Sequence, residues 1–407
     1  MIQSIKLSLK LKFLSAQIDL SLTDEVVMKV AIIGAGIAGL TLARVLEKFD
    51  ISYDLFDESE SLKLKPAGLI LTPNGSAVLQ ELNLLNEIQQ QSQMISSLEY
   101  SDEVLTSFFK VECEKLQIDQ KFSLLGIENS ELKKILLSGL PTKKVHFSHH
   151  VIDISKRVDK TLIKFQHGDS RDYDLVVAAD GIHSTIRNII YPYLKPEFSG
   201  LCSWHFIVDQ RFYPMSQDIA FELLGKSKSF NIFGLKNKRW SWSVTAGSLP
   251  HQIDESESLR KNLKQLFLGF DPTVVKLMAE SPMQNMVKRD LYELPPITQM
   301  ESGRVVFIGD AGHSLPSLFH QGPAQAIEDA WYLGKTLLLT KDIDTDLKEL
   351  TISRKKRIQF LLQTTSILEE VGHFRGQAIK KLGHKVMKFM PNLVYEQMMK
   401  KLFKIKL

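Results

Sequence analysis

The chain has 407 residues, a formal charge of +4 and two cysteines, Cys113 and Cys202. The length suggests two or three packed units, and the small charge argues against nucleic acid as a partner. Two cysteines make neither a disulfide framework nor a metal site, so we expect a reducing, cytoplasmic location. No apolar run reaches the roughly 18 residues that span a bilayer.

Residues 1–27 form an N-terminal extension in which lysines alternate with short apolar pieces. The segment lacks the continuous apolar core of a secretory signal. Two interpretations stay open: translation starts at Met28, or the segment forms an amphipathic surface helix. The pattern of the fold begins at Met28 in either case.

The first structural unit is a strand, a glycine-rich turn, a helix and a second strand. Val30–Ile33 predicts a short buried strand, and apolar residues that recur every three positions after it predict a helix. Tyr53–Phe56 predicts the second strand. Together they give a β–α–β unit of about 30 residues, the size expected of a dinucleotide-binding motif.

The turn of this unit carries GxGxxG. Gly34 permits the tight turn, Gly36 lets the backbone approach a pyrophosphate, and Gly39 lets the helix pack closely on the sheet. We expect the pyrophosphate at the N–H groups of Ile37 and Ala38, at the positive end of the helix. The motif alone does not separate FAD from NAD, and a glycine-rich turn that binds nothing is the alternative.

An acidic pair ends the second strand. Asp57 falls where an acidic residue binds a ribose hydroxyl, and Glu58 follows it directly. This placement favours the dinucleotide interpretation of the unit.

Two later strands also end in glycine and aspartate. Asp174–Ala179 leads into Asp180-Gly181 and a helix that starts near Ser184. Val305–Ile308 leads into Gly309-Asp310. Each pattern alone is consistent with an ordinary turn and helix cap.

The remaining patterns predict an α/β protein with a Rossmann-like FAD-binding domain, an inserted antiparallel-sheet substrate domain and a C-terminal helical segment. Dense alternation of aromatic residues from about 196 to 250 predicts the sheet. The predicted divisions are 28–195 with 286–340 for FAD binding, 196–285 with 96–122 for the substrate sheet, and 341–407 for the helices.

The three motifs in this order resemble those of the class A flavoprotein monooxygenases of the para-hydroxybenzoate and salicylate hydroxylase type. The resemblance runs from Met28 to about Arg375 and includes Ala67–Asn74, Phe198–Gly200 and Arg354–Arg357. It implies an enzyme that uses FAD, NADH or NADPH and O2 to hydroxylate a small aromatic or polycyclic molecule through a flavin C4a-hydroperoxide. NAD(P)H would visit transiently, because the chain has no second GxGxxG.

The resemblance also assigns roles to residues. Asp310 would bind a ribityl hydroxyl, and Asp180-Gly181 would lie near the pyrophosphate and the nicotinamide path. The ring would lie against the loop and helix start, and the expected contacts there are Pro316, Gln321, Gly322 and Pro323. Asn129 stands where the family often has a cofactor-binding arginine.

Two histidines are candidates for catalysis. His205 follows Trp204 where several relatives have a polar substrate contact, and a histidine there could deprotonate a phenol. His320, in the late loop, could donate a proton, form a polar wall or attach the flavin. A buried histidine of the sheet and a surface histidine are the respective alternatives. We expect the aromatic stretch 204–242 to cover the flavin and exclude water.

Other functions stay open. An epoxidase and a tetracycline-type inactivating oxygenase share the fold, and Trp240-x-Trp242 resembles part of a flavin halogenase motif. Residues 380–407 carry eight lysines against Glu396, so a membrane-peripheral FAD-binding protein with a basic amphipathic helix is another class. A solvated lysine face over a docked helix is the alternative. The sequence leaves monomer and dimer open.

Overall fold

The computed structural model describes residues 28–116, 123–209, 216–252, 254–295, 300–315, 319–373 and 392–407. In chain order the strands are β1 (Lys29–Ile33), β2 (Ser52–Phe56), β3 (Gly68–Leu71), β4 (Gln93–Ile95), β5 (Ser97–Asp102), β6 (Ser107–Glu112), β7 (Leu124–Glu128), β8 (Val145–His146), β9 (Val151–Lys156), β10 (Thr161–Phe165), β11 (Ser170–Tyr173), β12 (Leu175–Ala178), β13 (Glu197–Asp209), β14 (Ile219–Gly225), β15 (Lys228–Leu235), β16 (Arg239–Gly247), β17 (Val287–Glu293) and β18 (Val305–Phe307).

The helices that position the site come from all parts of the chain. They are α1 (Ile37–Lys48), α2 (Pro73–Glu81), α3 (Leu85–Gln90), α4 (Asn129–Ser138), α5 (Thr185–Ile190), α6 (Ser256–Leu266), α7 (Pro272–Glu280), α8 (Gln321–Leu339), α9 (Ile343–His373) and α10 (Asn392–Phe403). The N-terminal extension 1–27 lies outside the described residues.

A five-stranded parallel sheet carries the three motifs. Its order is β18-β12-β1-β2-β8, so the strands before the motifs are neighbours. Strands β1 and β12 are apolar and almost wholly buried, as expected when both faces of a parallel sheet are covered. Helices α1 and α8 pack against each other. Because the carboxyl ends of parallel strands share one edge, all three motifs meet there.

The second large sheet has seven strands in the order β17-β13-β16-β15-β14-β5-β6. The sequence predicted an antiparallel sheet, but the sheet is mixed because β5 runs parallel to β14. Strands β5 and β6, from an earlier part of the chain, form one edge. Strand β17 follows residue 285, the predicted end of the insertion, and still pairs with β13.

The two faces of this sheet differ sharply. Alternate residues of β13, β15 and β16 join helices α6 and α7 in one apolar cluster that contains Trp204, Phe206, Phe230, Trp240 and Trp242. Since side chains on a strand alternate between faces, the residues between them form the opposite face. Most aromatic residues of the stretch predicted to cover the flavin therefore pack under α6 and α7, whereas Phe233 lies on the opposite face. The sequence could not divide them in this way, because period-two alternation does not reveal which face packs on the helices.

The C-terminal helices complete the core. Helix α9 contacts α8 and β14, and α10 contacts β6. Tyr395, Met399, Leu402 and Phe403 are buried against the sheet, while Leu393 of the same helix is exposed. The apolar side of α10 is thus occupied by the protein itself. Part of the basic segment, residues 374–391, lies outside the described residues, and no described helix is long and apolar enough to cross a membrane.

Candidate active site

The turn from β1 to α1 has room for nothing larger than glycine at two positions. Gly34 has a φ of +109°, and a Cβ there would lie 2.4 Å from the carbonyl oxygen of Ala179. A Cβ on Gly39 would lie 1.9 Å from the oxygen of Gly34. At Gly36 the nearest atom to a Cβ is 3.8 Å away. Gly34 and Gly39 therefore serve close packing, and Gly36 leaves space on the side where a ligand would approach.

The N-terminus of α1 is free to bind an anion. Its cap is Gly36, so no side chain accepts a hydrogen bond from the first turn. The N–H groups that start with Ile37 and Ala38 are the orphan donors of a helix end, where the helix dipole also favours negative charge. This geometry suits a pyrophosphate.

Asp57 links the end of β2 to this turn. Its Oδ2 accepts from the N–H of Ala35 at 2.7 Å and its Oδ1 from Ser59 at 2.9 Å. A carboxylate has further lone pairs for a ribose hydroxyl. Glu58 points elsewhere: it is half exposed and pairs with Lys63 and His150, both at 3.1 Å.

The second motif lies beside the first. The Oδ2 of Asp180 accepts from the N–H of Ile186 at 3.2 Å, and its buried Oδ1 has no hydrogen-bond partner among the described residues. Burial raises the pKa of Asp180. Gly181 has a φ of +81°, and a Cβ there would meet no atom within 4 Å. Both residues border open space.

Arg187, which the sequence interpretation did not single out, joins the second motif to the third. It is fully buried on α5, and its guanidinium donates to the carbonyl oxygens of Ala311 at 3.0 Å and of Ile182. The sequence shows Arg187 within the second motif, but its hydrogen-bond partner Ala311 is distant in the sequence.

The third motif closes against the first. Gly309 has a φ of +58°, and a Cβ on it would lie 3.0 Å from the Cβ of Ala38. The side chain of Asp310 is accessible, yet desolvation by the protein around it raises its pKa, against the opposing charges of His313 and Arg289. An accessible carboxylate can accept hydrogen bonds from ribityl hydroxyls.

Helix α8 starts from a strained residue. His320 is its N-cap and adopts the left-handed conformation, with a φ of +54°. Burial lowers the pKa of His320 to about 4, so the ring is neutral at pH 7. The first turn includes Gly322 and Pro323, and a Cβ on Gly322 would meet no atom within 4 Å. The uncapped N–H groups of this turn can stabilise negative charge.

The side chain of Gln321 is held by the protein, which leaves its backbone for the predicted cofactor contact. Its side chain is buried, accepts from Asn74 and Gln325 at 3.1 Å each and donates to Thr72 at 3.3 Å. Only its backbone is left for a cofactor. Pro316 lies outside the described residues.

Asn129 opens on a basic cleft of 490 Å³. The charged and polar residues around it include Lys63, Lys65, Lys133, His183, His251, Lys288, Arg289, Asp290 and Tyr292. The expected arginine is missing at Asn129, but Lys133 lies one helical turn further along α4. Its Nζ donates to the oxygen of Lys63 at 2.8 Å.

His205 lies on the face of the large sheet that is turned away from the aromatic cluster. Burial, and then the charge of Arg289, lower its pKa to about 3, so the ring is neutral at pH 7. It makes no hydrogen bond within the described part of the chain. Arg289 was also missed from sequence, because lysines and arginines on edge strands are usually solvated.

This set of groups fits FAD. The glycine turn and the uncapped helix suit its pyrophosphate, and Asp57 and Asp310 suit its hydroxyls. The buried Oδ1 of Asp180 is left without a hydrogen-bond partner among the described residues. None of the described residues forms a cluster that could hold a metal ion.

The family model for the FAD binding domain matches residues 27–356. The chain belongs to the class A flavoprotein monooxygenases. It is therefore an FAD-dependent monooxygenase, and the predictions of family, fold class and FAD are confirmed.

Known relatives of this flavoprotein cover nearly the same length. FAD-dependent urate hydroxylase from Klebsiella pneumoniae is 27% identical over 343 residues, which are 82% of this chain and 88% of the relative. The 2-heptyl-3-hydroxy-4(1H)-quinolone synthase of Pseudomonas aeruginosa is 25% identical and covers 92% and 98%. The structure of Klebsiella pneumoniae HpxO with FAD and uric acid matches with a TM-score of 0.84 at 23% identity, over 95% of this chain and 98% of that one.

The halogenase-like pair of this flavoprotein is structural. Trp240 and Trp242 are fully buried in the cluster that packs on α6 and α7. Trp242 stacks on Phe206 with a centroid distance of 4.0 Å, and its Nε1 donates to Ser281. Neither ring reaches the face on which His205 lies, which argues against halogenation.

Proposed function

We propose that the enzyme takes electrons from NADH or NADPH and inserts one oxygen atom of O2 into a small aromatic or heterocyclic ring. Two electrons come from NAD(P)H, one oxygen atom enters the product and the other leaves as water. The observation that carries the proposal is the convergence of the three motifs at one edge of the parallel sheet. The convergence supplies a dinucleotide-binding turn and an accessible carboxylate, and we expect the substrate between them and the large sheet.

The residues of the chain bind the cofactor and the substrate, orient them and exclude water. FAD, when bound, supplies the electron-transfer and oxygen-transfer chemistry. Asp310 accepts hydrogen bonds from hydroxyl groups, and the first turn of α8 places positive dipole where negative charge develops. The neutral ring of His205 can accept a hydrogen bond from a bound hydroxyl group, but with a pKa of about 3 it is too weak a base to deprotonate a phenol.

The electron donor is part of the proposal, and the basic cleft supports it. Lys63, Lys65, Lys133 and Lys288 line the cleft beside Arg289. Lysine and arginine attract the phosphates of a nicotinamide dinucleotide, and a cleft in which they outnumber the single carboxylate of Asp290 focuses that attraction. We therefore expect the KM for NAD(P)H to rise with ionic strength. The proposal includes a cytoplasmic location, where the two free cysteines stay reduced.

The test is a spectrum followed by turnover. The full chain is purified, loaded with FAD and given NADH or NADPH in air with a panel of phenols, quinolones, tetracyclines and uric acid. Ligand-stimulated NAD(P)H oxidation with one atom of ¹⁸O from ¹⁸O2 in the product would support the proposal. Release of hydrogen peroxide alone would leave the flavin chemistry intact and show that the panel lacks the substrate. A chain that takes up no FAD would overturn the proposal.

A further inference from the structure

One cross-strand row of the large sheet is polar over five strands. From β13 to β5 its members are His205, Ser243, Asn231, Glu222 and Tyr100, each directly opposite the next. Side chains in such positions have Cβ atoms about 4.5–5.5 Å apart. They form a continuous strip, which we call the polar row.

The polar row lies on the sheet face that meets Phe319 and His320, the residues that lead into α8. Phe233 is on the same face of β15 as Asn231, and its ring lies 6.4 Å from that of His320. The ring of Tyr100 lies 5.9 Å from that of Phe319. These distances place the row opposite the residues that start α8.

The other end of the row lies near the third motif. Arg289 on β17 is directly opposite Ser203, two residues from His205 on the same face of β13. The charge of Arg289 acts on His205 and is itself influenced by Asp310. The polar row therefore spans the space between Asp310 and the residues that lead into α8. The resemblance places the reactive flavin ring in this space.

The inner end of the row is fixed by a buried hydrogen bond. Asn231 is 9% and Glu222 8% exposed, and the Nδ2 of Asn231 donates to the Oε2 of Glu222 at 2.7 Å. The amide nitrogen of Asn231 therefore faces the carboxyl group of Glu222. The Oδ1 of Asn231 is left as an acceptor with no donor among the described residues.

The outer end of the row has unused donors and acceptors. Within the described ranges neither the ring of His205 nor the hydroxyl of Ser243 makes a hydrogen bond. A neutral imidazole has one donor and one acceptor, and a hydroxyl group has both. A ligand edge with only C–H groups would leave these atoms unpaired, which sites of this kind discriminate against.

We propose that the polar row selects a planar heterocycle whose edge carries a ring N–H beside a carbonyl group, in preference to a carbocycle of the same shape. His205, Ser243 and Asn231 are the specificity-determining residues. The proposal rests on the proposed function and names its substrate class.

The test is a matched pair of ligands at equilibrium. 2-Quinolone, a bicyclic lactam, and 2-naphthol, a carbocycle of the same size, are titrated into the FAD-loaded full chain without NAD(P)H. The perturbation of the flavin absorbance gives each Kd. We expect 2-quinolone to bind about tenfold more tightly. Tighter or equal binding of 2-naphthol, or no perturbation by either ligand, would overturn the proposal.

Variants of the polar row test which residues cause the preference for 2-quinolone. His205→Phe and Ser243→Ala should each reduce the ratio of the two Kd values to about threefold or less. Ser241→Ala is the matched control, because Ser241 lies on the same face and strand but outside the polar row. An equal loss of preference in Ser241→Ala and Ser243→Ala would contradict the proposal. Asn231→Leu is less suitable, since it removes the partner of a buried carboxylate.

Ligand binding tests the selectivity of the polar row, and turnover tests the proposed oxygenation reaction. Discrimination between the ligands by a protein whose FAD neither NADH nor NADPH reduces would retain the polar row and overturn the proposed reaction. Oxygenation of a phenol by a protein that does not prefer the lactam would retain the proposed reaction and overturn the polar row.

Discussion

The Nε of Arg354 donates to the Oδ1 of Asp329 at 2.7 Å, and both side chains are almost fully buried. The Oδ2 of the same carboxylate accepts from the N–H of Gly309 at 2.8 Å and lies 2.6 Å from the Nε2 of His313. Burial raises the pKa of Asp329, but the charges of Arg354 and His313 outweigh it and lower the pKa to about 2. One carboxylate thus joins helix α9 to the third motif.

Arg354→Met should lower the free energy of unfolding by about 3–5 kcal/mol, because it leaves buried carboxylates uncompensated. Arg354 also donates to Glu328 at 2.7 Å, so two acids lose their partner. Urea denaturation at pH 7 measures the effect. Lys356→Met, at an exposed position of the same helix, should change the energy by less than about 0.5 kcal/mol. Equal losses of unfolding free energy in the two variants would show that the buried ion pair stabilises the protein no more than an exposed lysine does.

Gly39→Ala and Gly36→Ala should separate packing from binding. A Cβ at Gly39 would overlap the oxygen of Gly34 at 1.9 Å, whereas Gly36 has 3.8 Å of clearance. Gly39→Ala should therefore destabilise the FAD-free protein. Gly36→Ala should leave its thermal midpoint within a few degrees and still weaken FAD binding, measured by flavin fluorescence. Normal FAD affinity in Gly36→Ala would argue that the pyrophosphate lies elsewhere.

Asp310→Leu should weaken FAD binding by about 10- to 100-fold, the value of one or two hydrogen bonds to a charged acceptor. The same change should not destabilise the FAD-free protein, because burial already raises the pKa of this carboxyl group. Calorimetric titration with FAD and thermal unfolding of the FAD-free form measure the two effects. A loss of stability without loss of affinity would assign Asp310 a structural role.

His205 should make stability fall in acid. The folded pKa is about 3, and an unfolded histidine titrates near 6.5. Between these values the unfolded chain binds more protons, so the free energy of unfolding falls as the pH is lowered from 7 to 4. Between pH 7 and 5, His205→Gln should lose about 2 kcal/mol less of its free energy of unfolding than the parent protein. Parallel pH profiles for the two proteins would mean that the folded ring titrates normally.

Phe403→Ala should destabilise the protein by about 3–5 kcal/mol, since the side chain is 3% exposed in the core under α10. Leu393→Ala, at a position that is 69% exposed, is the control. Neither change should alter pelleting with anionic liposomes. Loss of liposome binding in Phe403→Ala with unchanged stability would favour the membrane-peripheral alternative for the C-terminal segment.

The candidate site was predictable where a local pattern carries a physical requirement. GxGxxG after a strand, Asp180-Gly181 and Gly309-Asp310 were visible because glycine is required by backbone geometry within a few residues. Arg187 and Arg289 were not, since their partners are more than a hundred residues away or on another strand. Gln321 was assigned to the cofactor, but its side chain is used by Thr72 and Asn74.

The sequence by itself determined the α/β class, the family and the cofactor, because short-range requirements for turns, helix starts and buried strands are written in neighbouring residues. Only the tertiary structure decided which face of the large sheet is covered by helices. Alternation gives two faces with the same period, and the packing of α6 and α7 on one of them leaves the other, with His205, Ser243 and Asn231, for the substrate site that we propose. The choice between the faces depends on contacts between segments far apart in the chain, which no local pattern records.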